Sequence, residues 1–163
     1  MLLKKIIKGL FVVFCLLAIF LFSSDTGSES TKKSDGVIIV FSSILGLDHL
    51  SQEEQQFIID TFVVPVRKSA HFLIYFVLGI LLISFFREFS LPVKKLILFS
   101  ILFAFLYACS DEVHQLFVPG RSGRIFDVFI DSVGASCGVF LYYFLFRKKM
   151  RKEYGYEQEE RVS

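Results

Sequence analysis

Acids, imidazoles and guanidinium groups stand in this chain where lipid would usually forbid them. Asp111, Glu112, Gln115, Arg121, Arg124, Asp127 and Asp131 follow one another from the end of one apolar run into the next, and Lys68, His71 and Tyr75 open an earlier run. A charge at membrane depth costs about 2.5–3.5 kcal/mol or more, so such residues point to a functional site by default. Their spacing is helical. Lys68, His71 and Tyr75 fall at i, i+3, i+7. Asp111 and Gln115 are four apart, and Glu112 and Gln115 three apart. Asp127, Asp131, Gly134 and Gly138 follow at i, i+4, i+7, i+11.

Three chemistries fit these residue types. The first is anion binding by Arg121, Arg124 and Lys68, with Arg67 at the rim, because guanidinium forks match phosphate and carboxylate oxygens. The second is proton transfer, with His71 or His114 beside Asp111, Glu112 or Asp127. The third is metal ligation. The chain has no H-E-x-x-H and no other diagnostic ligand spacing, so neither a metal nor a cofactor is expected. Asp111-Glu112-Val113-His114 spells a helicase-like D-E-x-H, but no phosphate-binding G-x-x-x-x-G-K-[S/T] accompanies it.

These residues need a membrane to hold them. Hydrophobic residues make up 54% of the 163, with 21 phenylalanines, more apolar surface than a soluble domain of this size could bury. A net charge of only +2 argues against a nucleic-acid partner. Cys15, Cys109 and Cys137 all lie in apolar runs and read as small packing residues.

The expected fold is all-α: a polytopic membrane protein with four transmembrane helices and an extracytoplasmic segment between the first and second. Residues 1–22 form an N-terminal anchor, read as uncleaved because Leu21 and Phe22 are too bulky for a signal-peptidase site. Residues 23–66 form an extracytoplasmic linker with an amphipathic helix. Its polar part, 23–36, reads as flexible. Residues 37–47 are apolar but too short to span. Ser51-x-x-Glu54 reads as a capping box, and Pro65 is expected to end or kink the helix that box opens. Residues 67–147 form a three-helix membrane core, with spans at 70–86, 96–115 and 126–146 and a Pro-Gly and Ser-Gly hinge at 118–125. Residues 148–163 form a cytoplasmic tail, its acidic end without fixed structure.

Lys4, Lys5 and Lys8, then Arg87, Lys94 and Lys95, then the basic cluster at 147–152 all flank spans on one side. They place both termini in the cytoplasm. From this boundary His71, Asp111 and Asp131 are each 16 residues away (87 − 71, 111 − 95, 147 − 131), about 24 Å along a helix. The three are therefore expected in one layer near the outer headgroups. Gly134-x-x-x-Gly138 lets another helix come close to it.

The ordered set resembles the VanZ-like family of bacterial membrane proteins. It comprises Lys68-x-x-His71-Phe72-x-x-Tyr75-x-x-x-Gly79, Asp111-Glu112-x-x-Gln115-x-Phe117-x-Pro119-Gly120-Arg121 and Asp127-x-x-x-Asp131-x-x-Gly134-x-x-x-Gly138. The resemblance covers residues 67–146 and leaves 23–66 outside. It implies a multi-pass protein of the bacterial cell membrane and a cell-envelope setting. It implies no particular reaction. The family's name-giving member is associated with low-level resistance to the glycopeptide teicoplanin. The family pattern falls on Lys68, His71, Tyr75, Glu112, Gln115, Pro119, Gly120, Arg121, Asp127 and Gly134. Asp131 stands where many relatives are expected to carry asparagine, and Arg124 lies outside the pattern.

Together these observations favour a non-catalytic site that binds an anionic group of a membrane lipid or lipid-linked cell-wall precursor. Lys68, His71, Tyr75, Asp111, Glu112, Gln115, Arg121, Asp127 and Asp131 would form it. The competing expectation is a small membrane enzyme, with His71 and Glu112 as its proton-transfer pair acting on a lipid-linked phosphate. A four-span transporter without internal repeats would need to oligomerise.

Overall fold

The computed structural model describes residues 2–162, with side chains described from Leu2 to Met150. Five α-helices follow in order: α1 (Leu2–Ser23), α2 (Gly27–Ile44), α3 (Gln52–Phe86), α4 (Val93–Gln115) and α5 (Ile125–Val162). Single 3-10 turns occupy Leu47–His49 and Arg87–Phe89, and no strand occurs among the described residues. Four segments are long and apolar enough to cross a bilayer: Leu2–Ser23, Gln52–Phe89, Val93–Gln115 and Ile125–Met150. Phe14, Leu17, Leu106 and Phe144 lie exposed on their flanks, as they must if hydrocarbon rather than water surrounds them.

The four spans close on two apolar clusters. One joins Val12, Cys15 and Ile19 of α1 to Tyr75, Leu78 and Leu82 of α3, Ala104 and Ala108 of α4, and Ala135 of α5. The other joins Ile83, Leu96, Val139 and Met150. All three cysteines are free. The most extensive helix pair is α3 with α5. The two run parallel and nearly touch backbone to backbone. Gly134 lies on the main chain of Phe72, Gly138 on that of Phe76, and Gly79 on that of Ala135, so a Cβ at any of them would collide. In lipid, packing of this closeness replaces the hydrophobic drive that holds soluble helices together.

Polar contacts close the basic end. Lys8 pairs with Glu88 and donates to the Ser84 carbonyl, and Lys5 sits 4.8 Å over the Phe89 ring. Arg87 donates to the Tyr142 hydroxyl at 3.2 Å. The lysines of α1 and the α3–α4 turn thus share one end of the bundle, and the layer of buried acids lies toward the other.

Three expectations are corrected. Residues 27–36, expected as part of a flexible linker, are instead the first part of helix α2 (Gly27–Ile44). Thr26 and Glu29 form a reciprocal capping box, and Ser30, Ser34 and Ile38 bury one face. Pro65 does not end its helix, and α3 runs unbroken for 35 residues. Proline removes one backbone bond there, and the helix continues past it with Ile58 and Phe62 before it and Val66 after it lining a groove against α2. Arg67 and Lys68 consequently lie inside a helix rather than before one. The third correction is at the C-terminus, where α5 continues through Val162 in place of an unstructured tail. The expected capping box of Ser51 and Glu54 is present, with its Oε2 2.9 Å from the Ser51 amide nitrogen.

With 35 residues, α3 is about 52 Å long, well beyond a hydrocarbon core of about 30 Å. Its first half pairs with α2 as a hairpin beyond the four-helix core.

Candidate functional site

Three helices each bring one ligand-type side chain to a common point. His71 of α3, Asp111 of α4 and Asp131 of α5 place one nitrogen or oxygen each within 4.8 Å of one another. The layer expected from counting residues is therefore a cluster. Asp131 is fully buried, and neither carboxylate oxygen has a hydrogen-bond partner. Its Oδ1 lies 3.7 Å from His71 Nδ1. Asp111 is oriented from behind: Ser23 Oγ donates to its Oδ2 at 2.8 Å and Gln115 Nε2 donates to the same oxygen at 3.2 Å. Gln115 also donates to Ser23 Oγ, so α1 ends on this network. The hydroxyl of fully buried Tyr75 has no hydrogen-bond partner.

Above this cluster lies a polar chamber of about 150 Å³. Its walls include Arg67, Lys68, His71, Glu112, Gln115, Arg121, Arg124, Asp127 and Asp131. The cations differ in how far they are committed. Lys68 pairs with Asp127 and sits 5.0 Å over the Phe126 ring. Arg121 donates Nε to the Asp25 carbonyl at 3.0 Å and Nη2 to the Phe22 carbonyl at 3.1 Å. That uses two of its five N–H groups to tie the hinge to the end of α1. Burial, then the neighbouring Arg67, hold its guanidinium below the usual value. Arg124 stays exposed, with Nε on Ser122.

Arg67 is the residue that sequence reasoning undervalued. It is half-buried, lines the chamber and makes no ion pair among the described residues. The available signal was a basic pair on the wrong side of a span for the positive-inside pattern.

Glu112 has a structural task. Its Oε2 accepts the Arg124 backbone N–H at 2.7 Å, while Oε1 is buried without a partner. It therefore fixes the chain just before α5. The hinge is pinned again where the Gly27 N–H donates to the Pro119 carbonyl at 3.0 Å, and a Cβ on Gly27 would strike the Gly120 carbonyl. His71 thus has Asp131 and Asp111 as its near carboxylates, and Glu112 serves the hinge. His114 lies outside the chamber wall, with Nε2 3.1 Å from Ser24 Oγ and its ring 4.6 Å from that of Phe20.

An apolar cavity of about 270 Å³ adjoins the chamber, between α1, α2 and α3. Arg67, His71 and Arg121 line both spaces. Val37 and Val66 line this cavity and also a groove of about 480 Å³ between α2 and α3, whose walls include Ile38, Phe41, Ile58 and Phe62. A charged compartment thereby shares wall residues with an apolar track.

Fold and site define a polytopic, all-helical membrane protein with a buried acid–imidazole cluster beneath a charged, polar chamber. The chain belongs to the VanZ/LLP1 family, whose sequence model matches residues 9–147. The match takes in α1 and the α2 hairpin, which the motif resemblance had left outside. No curated protein and no solved structure matches the chain at a significant level.

Proposed function

We propose that this protein holds an anionic amphiphile, a phospholipid or lipid-linked cell-wall precursor, with its charged group in the chamber and its chain in the apolar track. The observation that carries this reading is the shared wall: Arg67, His71 and Arg121 face both the polar and the apolar space. A free anion would need no apolar extension, and a neutral lipid no cationic compartment. Arg67 is the principal anion contact, because Lys68 is neutralised by Asp127 and Arg121 is partly committed to α1 carbonyls.

The positive-inside pattern orients the protein with both termini in the cytoplasm of a bacterial cell. The chamber then lies at the outer leaflet. The α2–α3 hairpin lies at the outer surface, with Val40, Phe41, Ile44 and Phe57 exposed and available to the interface. A site there meets cell-wall precursors where glycopeptides act, which connects it to susceptibility to teicoplanin-type antibiotics.

Native mass spectrometry of protein purified in mild detergent tests the reading. The wild type retains a phosphate-bearing lipid, and Arg67→Gln loses it while remaining monodisperse. Equal retention of neutral and anionic lipids by both proteins would overturn the proposal.

A further inference from the structure

We propose that His71, Asp111 and Asp131 form a binding site for a divalent transition-metal cation, of the zinc or manganese class, at the floor of the chamber. Three helices deliver one ligand-type atom each, all within 4.8 Å. Asp131 has no exposed surface, and neither carboxylate oxygen has a hydrogen-bond partner, the His71 ring nitrogen 3.7 Å from Oδ1 being the near group. A polar side chain is kept this way only when something else satisfies it. Tyr75 supplies a second sign: its hydroxyl is also buried and without a hydrogen-bond partner.

The donor set fits such an ion. One imidazole nitrogen and two carboxylates suit zinc or manganese and exclude the soft, thiolate-seeking metals. The 3.7 Å between His71 Nδ1 and Asp131 Oδ1 is close to the edge of a tetrahedron with bonds of about 2.1 Å, about 3.4 Å. The support behind the ligands is also in place, because Ser23 and Gln115 fix the Asp111 carboxylate. Charge balances as well. A neutral imidazole, two carboxylates and a divalent cation sum to zero, which suits a low-dielectric bundle. Any proton held by a ligand leaves for solvent as the metal binds. Three protein ligands leave a tetrahedral ion one open position, and His71 and Asp131 both line the chamber.

The site does not depend on the lipid reading, and its test uses delipidated full-length protein in detergent. After chelation and dialysis, the protein is titrated with Zn²⁺ or Mn²⁺, and bound metal is counted by elemental analysis. Wild type takes up about one ion per chain, and Asp131→Asn and His71→Ala lose at least tenfold in affinity. Co²⁺ added to wild type alone gives ligand-field absorption of a nitrogen- and oxygen-ligated ion of low coordination number, whether or not the variants fold. Wild-type protein that binds no metal, or a spectrum of hydrated Co²⁺ only, would overturn the inference and leave the acids as proton carriers. So would full uptake by folded Asp131→Asn.

Discussion

The imidazole of His71 and the carboxylate of Asp131 lie 3.7 Å apart across the seam between α3 and α5. Glycine makes that approach possible, because Gly134 and Gly138 let the α5 backbone rest on the main chain of Phe72 and Phe76. The cluster's geometry therefore depends on residues that carry no chemistry.

Gly138→Ala should separate the two helices. Its Cβ would meet the Phe76 carbonyl, which is backbone and cannot swing aside. Overpacking of this kind costs about 1–3 kcal/mol. The thermal midpoint in detergent should fall, whereas Gly36→Ala, with nothing within 4 Å of the added carbon, should leave it unchanged or raise it.

Glu112→Ala should loosen the hinge. The Arg124 N–H would lose its acceptor, at a cost of about 1–3 kcal/mol. Trypsin should then cut faster after Arg121 and Arg124. Glu112→Gln keeps an acceptor oxygen and should cut close to the wild-type rate.

Arg67 and Lys68 should differ despite being neighbours. Removing the uncommitted cation forfeits a charge-assisted contact of about 1.5 kcal/mol, roughly tenfold in affinity for an anionic lipid. Lys68→Gln removes a charge that Asp127 already offsets, so titration with phosphatidate should show a smaller loss.

The start of α2 should respond to acid. The Thr26 hydroxyl, then the Thr26 backbone N–H, hold the Glu29 carboxyl below its usual value. A depressed folded-state value contributes stability above the unfolded value of about 4.3, and that contribution is lost as pH falls through the folded value. Hydrogen exchange at the Thr26 amide should therefore lose protection on the acid side in wild type. Glu29→Gln should abolish that pH dependence.

The spans, the convergence of His71, Asp111 and Asp131, and the packing role of Gly134 and Gly138 were legible because helical rise and side-chain period are fixed by backbone geometry. The helix at 27–44 was hidden by its serines and lysines, although Thr26 and Glu29 spelled its capping box. Pro65 misled because the lost bond is local, while packing acts along the whole helix. Metal ligation was set aside for a different reason. Ligand motifs are read along one segment, and these three atoms come from three helices. The apolar track was likewise beyond reach, since it depends on where α2 lies against α3.

Photo-crosslinking with a phosphatidate carrying a diazirine at the chain end tests the central claim most directly. At one lipid per protein, the account predicts adducts on the groove, at Val37, Phe41, Phe62 and Val66, and their loss in Arg67→Gln. Adducts spread over the outward faces at Phe14, Leu106 and Phe144, unchanged by that substitution, would contradict it.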